Sequence, residues 1–279
     1  MLTRGGIVTH DGRTLRVGTS RFLPQEIFLL YKLGLAVYFL YWAIFWRGVK
    51  DYNTGPYLTH WTWYATTSYF VVSALSAFLC WKAMRKVGTL PLDGPVQSIS
   101  AMPSAAPAAD SSQSTLPVAL KRLQLSLWST ACVASLTVVA IFWGALYDGE
   151  DLTIVDIQAH AVVAVVVLVD QFLVADEFKL RNVIFGQVFG AIYIAFNVGW
   201  YYLAPREDRL IYVILDWDKK PLVACIYALG CVLVLGPLFG VFHYGVCRLR
   251  ESLYAKRLAR ISGGGARAPA IELKGGSNA

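Results

Sequence analysis

Six mostly apolar stretches run along the chain: Ile27–Trp46, Tyr57–Trp81, Leu123–Leu146, Ile157–Val174, Val183–Leu203 and Pro221–Cys247. A helix needs roughly 20 such residues to cross the hydrocarbon of a bilayer. The fourth stretch is short and carries Asp170, so five spans is the fallback. Composition points the same way: 56% of the 279 residues are hydrophobic and 15% charged. A soluble domain of this length does not need that much apolar surface, because its exterior must stay wet. The expected fold is an all-α polytopic membrane protein with six transmembrane helices.

Loop charge gives an expected orientation. The segment before the first span holds four Lys or Arg, the Lys82–Arg122 loop five, the Ala175–Asn182 loop two and the segment from Arg248 seven. The alternate loops hold two, none and four, a total of six against eighteen. Positive residues favour the cytosolic side, which places the N- and C-termini in the cytosol of an endomembrane or plasma membrane protein. An odd number of spans would mix the two sets. Tryptophan agrees: Trp42, Trp46, Trp61, Trp63, Trp143, Trp200 and Trp217 fall near the non-cytosolic ends, as an interfacial belt or as the lining of a lipid cleft.

The domain reading follows. Residues 1–26 carry four arginines and no apolar core, so they read as a cytosolic tail, with the first span as anchor. Residues 27–86 hold the first two transmembrane helices and 119–250 the other four. Half of residues 87–118 are Pro, Ser or Ala, and none is aromatic, Lys or Arg. Such a linker cannot offset its ordering entropy by burial and is expected to be disordered. Residues 251–279 read as a basic, then Gly-rich, cytosolic tail. The net charge of +7 is dispersed among loops and gives no reason to expect nucleic acid. The five cysteines lie in apolar stretches without CxxC spacing, so no metal or other cofactor is expected from them.

Two helix entries carry the candidate chemistry. The first is Asn53-Thr-Gly-Pro-Tyr-Leu-Thr-His-Trp-Thr-Trp63, with Thr59, Thr62 and Thr66 on one helical face. Membrane hydroxyls usually bond back to their own helix, which is the structural alternative. The second is Thr153-Ile-Val-Asp-Ile-Gln-Ala-His160. Thr153 and Asp156 have capping-box spacing, and the Asp156 carboxylate one turn before His160 could orient its imidazole. Both helices run inward from the same side, which puts Thr59 and His160 roughly 5 and 10 Å deep. A hydroxyl beside an imidazole is the minimal nucleophile and general-base pair for acyl transfer. Thr62, Asn197 or helix-start N–H groups are candidate oxyanion donors. A Thr59–His160 separation beyond about 8 Å would count against this chemistry, since direct base action needs hydrogen-bond reach. Lys32 and Asp170, at similar depth on the other side, form a candidate structural ion pair. Gly186 with Gly190, and Gly236 with Gly240, have GxxxG spacing for close helix contact. Pro237 is expected to kink the sixth span.

Tyr57-Leu-Thr-His-Trp61 resembles the entry to the second span in the rolling stone proteins and their relatives, the androgen-induced (FAR-17a-type) membrane proteins. His160 with Asp170, Tyr193, and Ile211-Tyr-Val-Ile-Leu-Asp-Trp217 followed by Pro221 resemble the superfamily's second half. The androgen-induced branch implies a threonine- and histidine-dependent hydrolase of fatty acid esters of hydroxy fatty acids. In this sequence Thr59 would be its nucleophile and His160 its base, and its partners would be membrane lipids and a lipid-ester substrate. The rolling stone branch, which Ile214-Leu-Asp-Trp217 favours, implies a membrane organiser, adhesion or fusion protein without catalysis. A third reading takes His60 and His160 as axial ligands of one haem.

Overall fold

The computed structural model describes residues 2–3, 6–8, 14–15, 18–49, 56–88, 117–149 and 151–261. Among these, six helices are long and apolar enough to cross a membrane: Gln25–Phe45, Leu58–Arg85, Val118–Leu146, Ile154–Leu173, Leu180–Leu203 and Pro221–Arg257. These are called the first to sixth spans below. This architecture is consistent with an integral, multi-pass membrane protein. Leu30, Val37 and Ile44 repeat along the first span on a face left 66–69% exposed, an outward apolar stripe that suits lipid. The 87–118 linker, apart from its two ends, lies outside the described residues, as do Asn53–Gly55 and the Gly-rich C-terminal segment.

The third span sits at the centre, touching the second, fourth, fifth and sixth. Its sequence explains the position. Residues Trp128 to Ser135 are all buried, and after Trp128 they read Ser-Thr-Ala-Cys-Val-Ala-Ser. Small side chains let neighbouring backbones approach from every side. Gly186 of the fifth span meets this helix so closely that an added Cβ would lie 2.7 Å from the Val133 Cβ. Gly240 of the sixth span packs as tightly on Val183 of the fifth. Phe39 of the first span stacks on Phe70 and packs on Trp63 of the second, while Trp128 of the third packs edge-on against Phe178.

One end of the bundle is where the first span begins and the sixth stops; this is called the tail end, and the opposite one the far end. Three differences from the sequence reading fall at the tail end. Short strands at Leu2–Thr3, Gly6–Val8 and Thr14–Leu15 form a small antiparallel sheet. Thr19, Ser20 and Arg21 pack onto the bundle, and Ser20 pairs with Val174 beyond the fourth span. The final helix continues to Ile261 rather than ending at 250. Arg250 explains the continuation. Buried, it donates to the carbonyls of Gln171, Val174 and Asp176 at 2.7–2.8 Å, satisfying the end of the fourth span. Glu251 then bridges Arg250 and Arg21.

Lys32 and Asp170 form an ion pair with Nζ and Oδ1 2.5 Å apart, and neither side chain is exposed. Tyr69 donates to the other carboxylate oxygen at 2.5 Å, while Lys32 donates to the Tyr69 hydroxyl at 3.1 Å.

Candidate active site at the far end of the bundle

Span four begins with a complete capping box. The Thr153 hydroxyl accepts from the Asp156 N–H at 3.2 Å, and the Asp156 carboxylate accepts from the Thr153 N–H at 3.0 Å and its hydroxyl at 2.6 Å. That occupies the Asp156 carboxylate. His160 is oriented by Asp156 through its backbone instead: Nδ1 lies 3.0 Å from the Asp156 carbonyl oxygen. A carbonyl can only accept, so Nδ1 carries the proton and the neutral ring leaves Nε2 as the acceptor. The Thr59 hydroxyl lies 3.2 Å from that Nε2. The geometry therefore reads Thr59 Oγ1–H to His160 Nε2, and His160 Nδ1–H to the Asp156 carbonyl.

Backbone irregularity places these groups. Gln158–Val162 is a π-helical turn, inside which His160 sits. The third span ends in another, Phe142–Leu146, whose first residue stacks on the His160 ring with centroids 3.6 Å apart and planes 4° from parallel. Trp143 donates its indole N–H to the His160 carbonyl at 3.3 Å. A third π-turn, Cys231–Leu235, interrupts the sixth span. It lies immediately before Pro237, which lacks the N–H an unbroken helix would need there. All three turns contribute to the wall of one cavity of about 270 Å³, which also receives Thr59 and His160. The cavity is chiefly apolar, walled by side chains such as Val138, Ile141, Phe189 and Ile194. Gly186, Gly190 and Gly236 are among its lining residues. Among the described residues no tryptophan lines it, so Trp42, Trp61, Trp63, Trp143, Trp200 and Trp217 do not form the cleft. Trp63 is a core residue at 1% exposure.

Tyrosines complete the polar rim. The Leu58 N–H, at the start of the second span, donates to the Tyr212 hydroxyl at 3.0 Å. Tyr193 donates to the Pro56 carbonyl at 2.8 Å. The 204–220 loop that carries Tyr212 is pinned by Asp216, whose carboxylate accepts from the Lys219 N–H at 3.0 Å and the Tyr201 hydroxyl at 2.8 Å. The Lys219 N–H, then Tyr201, hold the Asp216 carboxyl below the usual carboxylate range. Burial pushes the Tyr212 phenol up, so it remains a protonated donor.

Of the residues singled out from sequence, Thr59, His160 and the Asp156 backbone meet here. Thr62 and Asn197 do not line the cavity. Thr62 Oγ1 is buried without a hydrogen-bond partner among the described residues, one turn along from Thr59, and Thr66 bonds back to the Thr62 carbonyl at 2.8 Å. Asn197 accepts from the Trp217 indole at 2.9 Å. Both ring nitrogens of His160 are engaged and Phe142 covers one face, which argues against an axial haem bond. Sequence reasoning gave no role to Tyr212, Phe142 or the π-turns. Tyr212 lies in an apolar run outside the spans, within the Ile211–Trp217 motif, and neither signal pointed to a role at the site.

No family model, curated protein or solved structure matches the chain.

Proposed function

We propose that the chain is a membrane-embedded hydrolase of lipid esters, with Thr59 as nucleophile and His160 as general base. The carrying observation is the 3.2 Å Thr59–His160 hydrogen bond at an apolar cavity that opens within the bundle. Thr59 Oγ1 attacks the ester carbonyl carbon while its proton passes to His160 Nε2. The carbonyl π pair moves to oxygen, and the collapsing adduct expels the alkoxide, which takes the proton from His160. Water, deprotonated by the same nitrogen, then cleaves the acyl-threonine and returns Thr59 to its starting state. The chiefly apolar lining suits a long acyl chain. The resemblance to the androgen-induced branch favours a fatty acid ester of a hydroxy fatty acid as substrate. The loop-charge excess, concentrated at the tail end, supports cytosolic termini and a site in the non-cytosolic leaflet.

Labelling of detergent-solubilised protein with a fluorophosphonate probe tests the reading. Wild type is expected to label, and Thr59→Ala and His160→Ala are expected to lose the label while remaining monodisperse. Equal labelling of wild type and Thr59→Ala would reject the assignment. The non-catalytic organiser, for which the far-end cluster is packing or a partner surface, would then be the better reading.

A further inference from the structure

The site so described has a nucleophile and a base but no assigned side-chain donor for the oxyanion, since Thr62 and Asn197 lie off the cavity. The protons of the far-end network can be followed one by one. The Trp217 indole N–H donates to the Asn197 carbonyl oxygen at 2.9 Å. That leaves the Asn197 amide to donate, and its side chain bonds Tyr193. The Tyr193 proton is committed to the Pro56 carbonyl, 2.8 Å away, which cannot donate in return. The Leu58 N–H is committed to the Tyr212 oxygen at 3.0 Å. The Thr59 proton is committed to His160 Nε2. Of the three hydroxyl protons in this network, those of Tyr193 and Thr59 are so held, and that of Tyr212 remains. Its hydroxyl lies beside the Thr59 and Tyr193 side chains and also lines the cavity.

Resting on the hydrolase reading, we infer that Tyr212 is the oxyanion donor of the site. The Leu58 N–H anchors the phenol oxygen, which leaves the O–H free to turn toward Thr59 and the cavity. With an ester bound, that proton moves from its resting acceptor to the carbonyl oxygen. As Thr59 Oγ1 bonds to the carbon and the π pair shifts to oxygen, the Tyr212 O–H···O bond shortens and strengthens. No proton is transferred from Tyr212, which keeps its hydrogen throughout. A donor placed where charge develops accelerates the step without tightening ground-state binding.

The test uses full-length protein in detergent and p-nitrophenyl octanoate as probe. Tyr212→Phe is expected to lower kcat by about 10²–10³-fold, the usual effect of removing one oxyanion donor, with KM changed little. Because Phe also takes away the acceptor for the Leu58 N–H, a second variant separates chemistry from folding. In it, 3,5-difluorotyrosine, a phenol that ionises far more readily, replaces Tyr212. Its phenolate still accepts from Leu58 but cannot donate, so hydrolysis should fall as that phenol ionises while wild-type activity persists at the same pH. Unchanged kcat in Tyr212→Phe, or matching pH profiles for wild type and the difluorotyrosine protein, would overturn the inference. A Thr59→Ala protein as active as wild type, or a wild type without activity, would instead overturn the hydrolase reading and this inference with it.

Discussion

Removing Lys32 alone should be among the most damaging single changes outside the candidate site. Its ammonium donates to Asp170 at 2.5 Å and to Tyr69 at 3.1 Å, and the Phe28, Tyr31, Tyr69 and Phe70 rings lie within 4.9–5.8 Å of it. No part of either charged side chain reaches the surface. Lys32→Met replaces the aliphatic stem well but leaves the Asp170 carboxylate with neutral phenol donors in place of a cation, Tyr69 among them. Breaking a buried pair from one side costs about 3–5 kcal/mol, because the remaining charge is uncompensated. For a protein of this size that corresponds to a fall of roughly 6–20 °C in Tm. Removing the charged pair and Tyr69 together should cost far less, since no uncompensated charge remains. Melting followed by size-exclusion chromatography of detergent-solubilised Lys32→Met and of a Lys32→Met/Asp170→Leu/Tyr69→Phe triple variant measures both. Destabilisation of Lys32→Met by less than about 1 kcal/mol would refute the reasoning, as would a triple variant less stable than Lys32→Met.

Two further predictions concern packing and pH. Gly186→Ala puts a Cβ 2.7 Å from the Val133 Cβ and should cost about 1–3 kcal/mol by overpacking. The same substitution on a Val133→Gly background, where the opposing Cβ is gone, should cost far less in the same melting assay, and a melt unmoved by Gly186→Ala would show that the helices part easily. Asp176 lies beyond the fourth span, where burial pushes its carboxyl up from 3.8 to about 7. The folded state therefore holds a proton that the unfolded chain has already lost between those values, so this group's contribution to stability declines as pH rises from about 4 to about 7. Asp176→Asn keeps an acceptor for Gln124, now 3.0 Å away, and should flatten that part of the Tm-against-pH curve. Equal slopes in the two proteins would contradict this.

Hydropathy made the number and extent of the spans legible because lipid imposes length and apolarity on every crossing segment. Lys32 and Asp170 were legible as a pair because each is a lone charge in a span, and depth counted from the helix ends matched them. The central place of the third span was less so. Its Ser129–Ser135 run reads as weakly polar, and only contact with four neighbouring helices turns that smallness into a packing role. Tyr212 was obscure for another reason. It reaches Leu58 across 154 positions of sequence through a loop fixed by Asp216, and no periodicity encodes such a contact.

The π-turns explain why the site could be placed by depth but not by direction. A regular helix turns 100° per residue, so positions three and four apart share a face. A π-turn carries i→i+5 bonds and shifts the residues after it relative to that period. His160, Phe142 and Cys231 each lie within such a turn, so a uniform 3.6-residue wheel drawn through any of these spans misassigns their faces. The same shift has an energetic side. Widened turns forfeit regular hydrogen bonds and close packing, a cost a membrane helix does not ordinarily carry where lipid offers no replacement partners. Three such turns contribute to the wall of one cavity and its threonine–histidine pair. A packing defect would have no reason to recur on three separate helices around the same space, whereas a built cavity needs each of them to open it.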